Sequence, residues 1–321
     1  MDKKERQKNI SKALSRLDKR FGERIVFRMG ESSEMSIETF KTGRSKLDSI
    51  LGGGYPKGKI IEVYGNEACG KTGLALEAVR EVQKEGGIVG FIDAEHALNT
   101  EYAESIGVDI SDLYISQPSC GEEGIETVRA MVDTGEFDLI VVDSVTALTP
   151  RAVLDGEAGE AKIGALARLM SQSLKMITGA CSETKTTVMF LNQIRNKIIA
   201  YGNPEDSTGG KALKFYASQR IRVKNKGKKK QGDDTVGFYQ EIEVVKNKIN
   251  PPFKKVEFDI VYGVGIDTFG DFIDSIIENK IIVQKGSYFY YNGDKICQGK
   301  AKLRIELENN SDLLEELKSK L

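Results

Sequence analysis

The sequence is poor in the residues that build metal centres and disulfide scaffolds. Its four cysteines stand at positions 69, 120, 181 and 297, and it has one histidine, His96. No two cysteines have C-x-x-C spacing, so neither a zinc site nor a disulfide framework is indicated. A single histidine with no partner motif is more typical of a packed or hydrogen-bonded side chain than of a catalytic base. The sequence therefore favours chemistry built from other residue types.

Long apolar runs are also missing. No stretch approaches the roughly 18 apolar residues that a membrane-spanning helix needs. The first residues, MDKKERQKNISKAL, are charged and lack the apolar centre of a secretory signal. We therefore expect no membrane partner and a location in the reducing cytoplasm.

The chain as a whole has no excess of one charge sign, since it carries 47 Lys and Arg against 48 Asp and Glu. The basic residues are nevertheless concentrated in two zones. Residues 1–28 hold ten Lys and Arg against four acids, and residues 207–232 hold nine and no acid. An anionic polymer would suit these zones, but charge alone favours two solvated faces.

Short apolar runs alternate with helical segments through the middle of the chain. Strands are predicted at 59–65, 87–95, 138–144 and 186–193, and helices at 70–86, 127–135 and 162–183. This alternation predicts an α/β fold with a mainly parallel sheet covered by helices on both faces. After residue 207 the runs become strand-like, which predicts an antiparallel extension of the same sheet.

The two ends of the chain differ from this middle part. Apolar residues from Ile10 to Phe21 recur at helical spacing and are followed by a strand-like MSIETF. Near the other end, an Asn-Gly turn at 292–293 lies between β-rich runs. We predict an N-terminal helix and oligomerisation arm at 1–34, a core at 35–265 and a small α+β domain at 266–321.

The stretch GNEACGKT fits the phosphate-loop pattern G-x-x-x-x-G-K-[ST], with a strand before it and a helix after it. In that context the loop amides and the helix N-terminus bind phosphates, the lysine reaches the β- and γ-phosphates, and the threonine hydroxyl binds Mg²⁺. The predicted ATP-binding residues of the loop are Gly65, Asn66, Glu67, Ala68, Cys69, Gly70, Lys71 and Thr72.

Polar side chains follow three further predicted strands, at the edge where a parallel sheet binds its ligands. Asp143 ends DLIVVDS and is expected to hold Mg²⁺. Glu95 in FIDAEH is the candidate to activate the attacking water, and Gln193 in FLNQ the candidate to contact the γ-phosphate. Each could also be an ordinary strand-end residue, so the strength of the prediction lies in their combination with the phosphate loop.

These motifs and their order closely resemble the RecA family of bacterial-type strand-exchange recombinases. The matching stretches extend from about residue 40 to residue 302 and include TGRSKLDSILGGG, FIDAEHAL, LIVVDSVTALTP, TGGKALKFYAS and VVKNKI. The resemblance implies an enzyme that uses ATP and Mg²⁺ and hydrolyses ATP with DNA stimulation. It also implies helical homo-oligomeric filaments on single-stranded DNA and strand exchange with homologous duplex DNA, in recombination, repair and the SOS response to DNA damage.

The resemblance also implies roles for single residues around an ATP that lies between neighbouring subunits. It makes Glu95 the catalytic carboxylate, acting with Lys71, and Gln193 the γ-phosphate sensor. It makes Tyr102 the side chain that stacks on adenine. Lys246 and Lys248, in VVKNKI, are then the cations that reach the γ-phosphate held by a neighbouring subunit.

Two polar loops, 153–163 and 194–209, correspond to the family's DNA-binding loops. Phosphate contacts and close backbone approach suit a protein that must leave the bases free for pairing. The DNA-binding residues implied by the resemblance are Ile163, Arg168, Ser171, Lys175, Arg195, Ile198, Gly209 and Gly210. Core packing is the alternative for the two isoleucines, which the resemblance makes wedges between base triplets.

The sequence departs from the family pattern at several positions. Asn99 stands where an aspartate near the adenine is usual, and Glu241 stands on a surface that is often basic in members that promote repressor self-cleavage, which argues against that activity here. Cys69, at a helix N-terminus inside the phosphate loop, suggests a thiol with a lowered pKa that ATP would protect from alkylation. The alternatives to a filament-forming recombinase are a RecA-like helicase or paralogue, and a nucleotide-gated DNA-binding scaffold with little turnover.

Overall fold

The computed structural model describes residues 2–22, 26, 37–156, 164–196 and 205–320, with the backbone alone at residues 195, 196, 205, 206 and 231. The chain divides into two compact units, Met1–Glu38 and Thr39–Leu321. The domain boundaries predicted at 34/35 and 265/266 stay predictions.

The first unit contains one described helix, α1 (Lys3–Phe21). It ends at Gly22, whose φ of 80° is the left-handed conformation that terminates many helices. The predicted amphipathic helix is thus confirmed. Ile10 and Phe21 are exposed, at 57% and 58%, whereas Leu14 is half-buried.

The second unit contains ten described α-helices and fifteen strands. The helices are α2 (Ser45–Leu51), α3 (Lys71–Lys84), α4 (Thr100–Ile106), α5 (Gly121–Thr134), α6 (Arg151–Leu154), α7 (Ala165–Thr184), α8 (Ala212–Tyr216), α9 (Thr268–Glu278), α10 (Lys300–Asn309) and α11 (Ser311–Lys318). The strands are β1 (Thr39–Phe40), β2 (Tyr55–Pro56), β3 (Ile60–Gly65), β4 (Val89–Asp93), β5 (Leu113–Ser116), β6 (Leu139–Asp143), β7 (Thr187–Asn196), β8 (Glu205–Ser207), β9 (Gln219–Gln231), β10 (Asp234–Asn247), β11 (Lys255–Val261), β12 (Gly265–Ile266), β13 (Val283–Lys285), β14 (Tyr288–Tyr291) and β15 (Asp294–Gln298).

Among the described residues, ten strands form one sheet, in the order β12-β11-β10-β9-β3-β7-β6-β4-β5, with β8 paired to β7. Six strands that are neighbours in this order, β9, β3, β7, β6, β4 and β5, run parallel to one another. On the other side of β9, each of β10, β11 and β12 pairs antiparallel with the strand before it. Both the parallel sheet and its antiparallel extension are therefore confirmed.

Helices cover both faces of the parallel part, as the near-continuous apolar strands predict. In β6, Leu139 and Val141 belong to the core packed under α3, whereas Ile140 and Val142 belong to the core packed under α5 and α7. Because successive side chains of a strand point to opposite faces, one buried strand supplies both cores.

The last part of the chain has a hydrophobic core of its own, with Ile276, Phe289 and Leu303 at its centre. Its hairpin β14–β15 turns at Asn292 and Gly293, which both have positive φ, as the predicted Asn-Gly turn requires. Within the described part of the chain, no helix is long and apolar enough to cross a membrane.

Candidate active site

The phosphate loop lies where β3 ends and α3 begins, at the carboxyl edge of the parallel strands. A cleft of about 530 Å³ opens there. Its lining combines the loop with residues on or just beyond β4, β6 and β7 and with one residue of α4: Glu67, Ala68, Cys69, Gly70, Lys71, Thr72, Gly73, Glu95, Tyr102, Asp143 and Gln193. The structure therefore brings together the strand-end residues that the sequence analysis singled out.

The first glycine of the loop is required by close packing. A Cβ added at Gly65 would lie 2.1 Å from the carbonyl oxygen of Val223 on the neighbouring strand β9. The Lys71 ammonium lies back over the loop and donates to the Asn66 carbonyl at 2.7 Å. The cation is thus already held beside the positions where the loop amides would bind phosphate oxygens.

Thr72 and Asp143 form the part of the cleft suited to a metal ion. The Thr72 hydroxyl donates to Asp143 Oδ2 at 2.7 Å. Burial, and to a lesser degree the charge of Glu95, raise the pKa of Asp143 to about 6. The charge of Lys71 and the bond from Thr72 only partly offset this burial, so a half-buried carboxylate next to a hydroxyl oxygen forms a donor set that fits Mg²⁺.

Glu95 is exposed just beyond β4, and its carboxylate accepts a hydrogen bond from the Ser144 hydroxyl at 2.5 Å. Asp93 holds the turn that presents it, because its carboxylate accepts from the amides of Ala97 (3.1 Å) and Leu98 (3.2 Å). The sequence analysis assigned no role to Asp93 or Ser144. The one signal in the sequence was that Asp93 lies in FIDAEH, the motif of Glu95, and Ser144 in DLIVVDS, the motif of Asp143.

Gln193 adjoins a buried polar network that the sequence analysis missed. Asn192 donates to the Thr208 carbonyl at 2.9 Å, at the base of the predicted DNA loop 194–209, and to Glu62 at 3.0 Å. Glu62, fully buried in β3, also accepts from Arg220 at 2.5 Å. The part of β7 that carries the predicted γ-phosphate sensor is therefore bonded to Thr208 of the predicted loop and, through Glu62, to β9.

Tyr102 lies half-buried on α4 with its hydroxyl 2.8 Å from where a Cβ at Gly73 would stand. It therefore touches the first turn of α3. Asn99 caps α4 by accepting from the Tyr102 amide at 2.9 Å. The departure at position 99 thus leaves a residue that can position Tyr102.

The hypothesis of a lowered pKa at Cys69 is wrong. The Cys69 side chain is fully buried, and burial raises the pKa of its thiol, although the charge of Lys71 acts in the opposite direction. The helix N-terminus and the lysine do not compensate for the lost hydration of a thiolate.

Lys246 and Lys248 lie apart from the cleft of their own chain. Lys246 on β10 is the register partner of Arg220 on β9, which is in turn the partner of Glu62 on β3, three residues before that strand ends. The Lys246 ammonium donates to the carbonyls of Lys214 (2.8 Å) and Phe215 (2.9 Å). Neither lysine is among the described residues that line the cleft. Burial and the nearby charges of Lys248 and Arg220 lower the pKa of Lys246.

The described DNA-binding candidates lie on and beside α7. Arg168, Ser171 and Lys175 are exposed on that helix. Gly210 packs on its first turn, because a Cβ there would lie 2.8 Å from the Cβ of Ala167, and Gly209 and Gly210 both have positive φ. The predicted wedges Ile163 and Ile198, and the side chain of Arg195, lie outside the described residues.

Acidic side chains on β10 and β11 partly neutralise the basic zone at 207–232. Lys224 and Lys226 on β9 lie 3.3 Å and 3.6 Å from the carboxylate of Glu241 on β10. Lys229 contacts Asp259 on β11 at 2.8 Å. Glu241, a departure from the family pattern, is thus a cross-strand partner of two lysines.

Parallel strands that bring a Lys-Thr phosphate loop and two carboxylates to one edge of a sheet define a phosphate-loop NTPase. Models of the RecA N-terminal domain and the RecA C-terminal domain match residues 8–267 and 270–321. Protein RecA of Staphylococcus aureus strains JH9, Newman and N315 is 48% identical over 319 residues, which cover 99% of this chain and 92% of the relative.

The chain belongs to the RecA family. It is therefore a DNA-dependent ATPase of recombination and repair that uses ATP with Mg²⁺, binds single-stranded and duplex DNA and forms filaments.

Proposed function

We propose that the cleft at the carboxyl edge of the sheet is the ATPase centre of this recombinase, and that different lining residues bind the phosphates, hold the metal ion and activate the water. The observation that carries this assignment is the convergence of Lys71, Thr72, Asp143, Glu95 and Gln193 on one cleft. The loop amides and the Lys71 ammonium bind the β- and γ-phosphates. Thr72 and Asp143 would hold Mg²⁺, which neutralises phosphate charge and orients the γ-phosphate.

Glu95 orients the attacking water and accepts its proton. Its exposed carboxylate extends into the cleft, and the bond from Ser144 fixes one of its two oxygens, so the other remains for water. Gln193 contacts the γ-phosphate, and Asn192 transmits its position to Thr208 at the base of the DNA loop. We place this activity in the cytoplasm, the general location of RecA proteins.

The experiment measures ATP hydrolysis with and without single-stranded DNA. Wild-type protein should be stimulated by DNA, and Glu95→Gln should keep nucleotide binding and filament assembly while turnover falls by about 100-fold or more. Glu101→Gln, an exposed carboxylate on α4, is the matched control and should hydrolyse ATP normally. Normal turnover in Glu95→Gln would remove Glu95 from its role.

We infer further that each ATP is completed by Lys246 and Lys248 of a neighbouring chain. Their distance from their own cleft supports this, as does the lowered pKa of Lys246, because a cation short of hydration gains most from a phosphate partner. The exposed edge strand β5, with Tyr114 at 54% and Ile115 at 52%, offers a surface for assembly.

A mixing experiment tests this shared site. Lys246→Ala and Glu95→Gln chains should each be inactive alone, yet a mixture should regain activity, because an intact Glu95 can meet an intact Lys246 across an interface. In a random equal mixture about one quarter of the junctions are intact. A mixture as inactive as its components would refute the shared site.

A further inference from the structure

The side chain of Gln240 contacts the phosphate loop from behind. Gln240 lies in β10 and is fully buried. Its amide nitrogen donates to the carbonyl of Cys69 at 2.7 Å and approaches the carbonyl of Gly70 at 3.4 Å. Gln240 is not among the described residues that line the cleft. The Cys69 carbonyl therefore points away from the nucleotide and towards β10.

We propose that Gln240 is a positioning residue that sets the orientation of the Cys69–Gly70 peptide for phosphate binding, an inference that rests on the proposed ATP site. In a planar trans peptide the carbonyl and the following N–H point in opposite directions. A bond that holds the Cys69 carbonyl towards β10 therefore directs the Gly70 N–H towards the cleft. Phosphate loops bind anions through such inward amides.

The packing around Gly70 supports this role. Gly70 is the cap of α3 and has a φ of 85°. A Cβ at this position would lie 2.5 Å from the Gln240 amide nitrogen and 3.3 Å from the Phe238 ring. The Gly70 carbonyl also accepts from the Leu74 amide at 3.1 Å. Gly70, where the loop meets the helix, therefore contacts α3 through its carbonyl and packs against Gln240 and Phe238 of β10.

The amide oxygen of Gln240 indicates that this side chain does more than fill space in the core. Gln240 Oε1 is buried and has no hydrogen-bond partner among the described residues. An unsatisfied buried acceptor costs about 1–3 kcal/mol, and an apolar side chain of the same shape would avoid that cost. Rotating the amide by 180° would place Oε1 against the Cys69 carbonyl oxygen, so the observed orientation is the one that favours the loop.

The test compares Gln240→Met with Gln219→Met, a matched control. Gln219 is also fully buried and donates to a backbone carbonyl (Gly54, 3.2 Å). Its Oε1 likewise has no partner among the residues that the structure describes, but the side chain lies away from the loop. Titration with a fluorescent ADP analogue and Mg²⁺ should show affinity falling about threefold to tenfold in Gln240→Met, the loss of one hydrogen bond. DNA-stimulated kcat at saturating ATP should stay within about twofold, so the effect appears in KM. Gln219→Met should bind nucleotide normally.

Folded Gln240→Met that binds nucleotide as tightly as the wild type would overturn the positioning role, as would an equal loss in Gln219→Met. If wild-type protein itself does not bind the analogue, the proposed ATP site fails and this inference fails with it. If Gln240→Met does not fold, the Gln240→Glu variant tests the positioning role instead. Its protonated carboxyl can donate to the Cys69 carbonyl and its carboxylate cannot, so nucleotide affinity should fall with rising pH more steeply than in the wild type. An unchanged pH profile would overturn the proposal.

Discussion

Replacing Glu77 by leucine should destabilise the protein by about 3–5 kcal/mol, because it leaves a buried guanidinium without its partner. Arg44, just before α2, donates from Nε and Nη2 to the two carboxylate oxygens of Glu77 on α3, each at 2.7 Å. The two side chains are 1% and 2% exposed. The guanidinium also lies 4.9 Å from the centre of the Phe258 ring, and its buried Nη1 has no hydrogen-bond partner within the described part of the chain.

The magnitude follows from desolvation rather than from the attraction between the charges. Arg44→Met should cost a similar amount, since it leaves a buried carboxylate. The double variant Arg44→Met with Glu77→Leu removes both charges, and its loss should be far smaller than the sum of the single losses. Asp259→Asn is the control: its carboxylate pairs with Lys229 but is 44% exposed, so its loss should be about 0–1 kcal/mol.

Urea unfolding followed by far-UV circular dichroism measures these free energies, because the chain has no tryptophan to report unfolding by fluorescence. Single losses below about 1 kcal/mol would refute the reasoning, since they would fall in the range of exposed pairs. Additive losses in the double variant would refute it as well, because they would show that the two charges do not depend on each other.

Three further predictions concern the phosphate loop and the carboxyl of Asp143 beside it. Gly65→Ala should weaken nucleotide binding at least about tenfold and cost about 1–3 kcal/mol in urea unfolding, because its Cβ would stand 2.1 Å from the Val223 carbonyl. Gly179→Ala on α7 is the control: its Cβ would meet no described atom within 4 Å and its φ is not positive, so it should bind nucleotide normally. In metal-free and nucleotide-free protein, the raised pKa of Asp143 makes the folded state bind this proton more tightly than the unfolded state, so the Asp143 carboxyl contributes stability that is lost as pH rises from 3.8 to about 6. The free energy of unfolding of the wild type minus that of Asp143→Asn should therefore fall over this range, as urea unfolding at each pH would show. Iodoacetamide should alkylate Cys69 more slowly than free cysteine at pH 8, as mass spectrometry of the labelled peptide would show, because its thiol is buried and its pKa is raised.

The sequence could predict those parts of the site that depend on local pattern. Strands that run parallel bring their carboxyl ends to one edge, so Glu95, Asp143 and Gln193 could be placed together without knowing the strand order. The alternation of apolar runs was enough to identify the covered parallel sheet.

Gln240, Glu62 and Arg44 were missed for a common reason. Gln240 contacts Cys69 across 171 positions, and Glu62 contacts Arg220 across 158. Each contact depends on which strands or helices become neighbours, and a glutamine or glutamate inside an apolar run has no spacing that identifies its partner. Cys69 was misjudged because a helix N-terminus is visible in the sequence, whereas the burial that outweighs it is not.

Because Lys246 is separated from the cleft of its own chain, the number of complete catalytic centres depends on how many chains assemble. On the proposed assignment, an open row of n chains has n − 1 complete catalytic centres, because the chain at one end lacks a neighbour to supply the lysines. Hydrolysis per chain should therefore rise with filament length towards a plateau. The terminal ATP lacks those cations and is the one most easily exchanged, so growth and loss of subunits are expected to have different rates at the two ends.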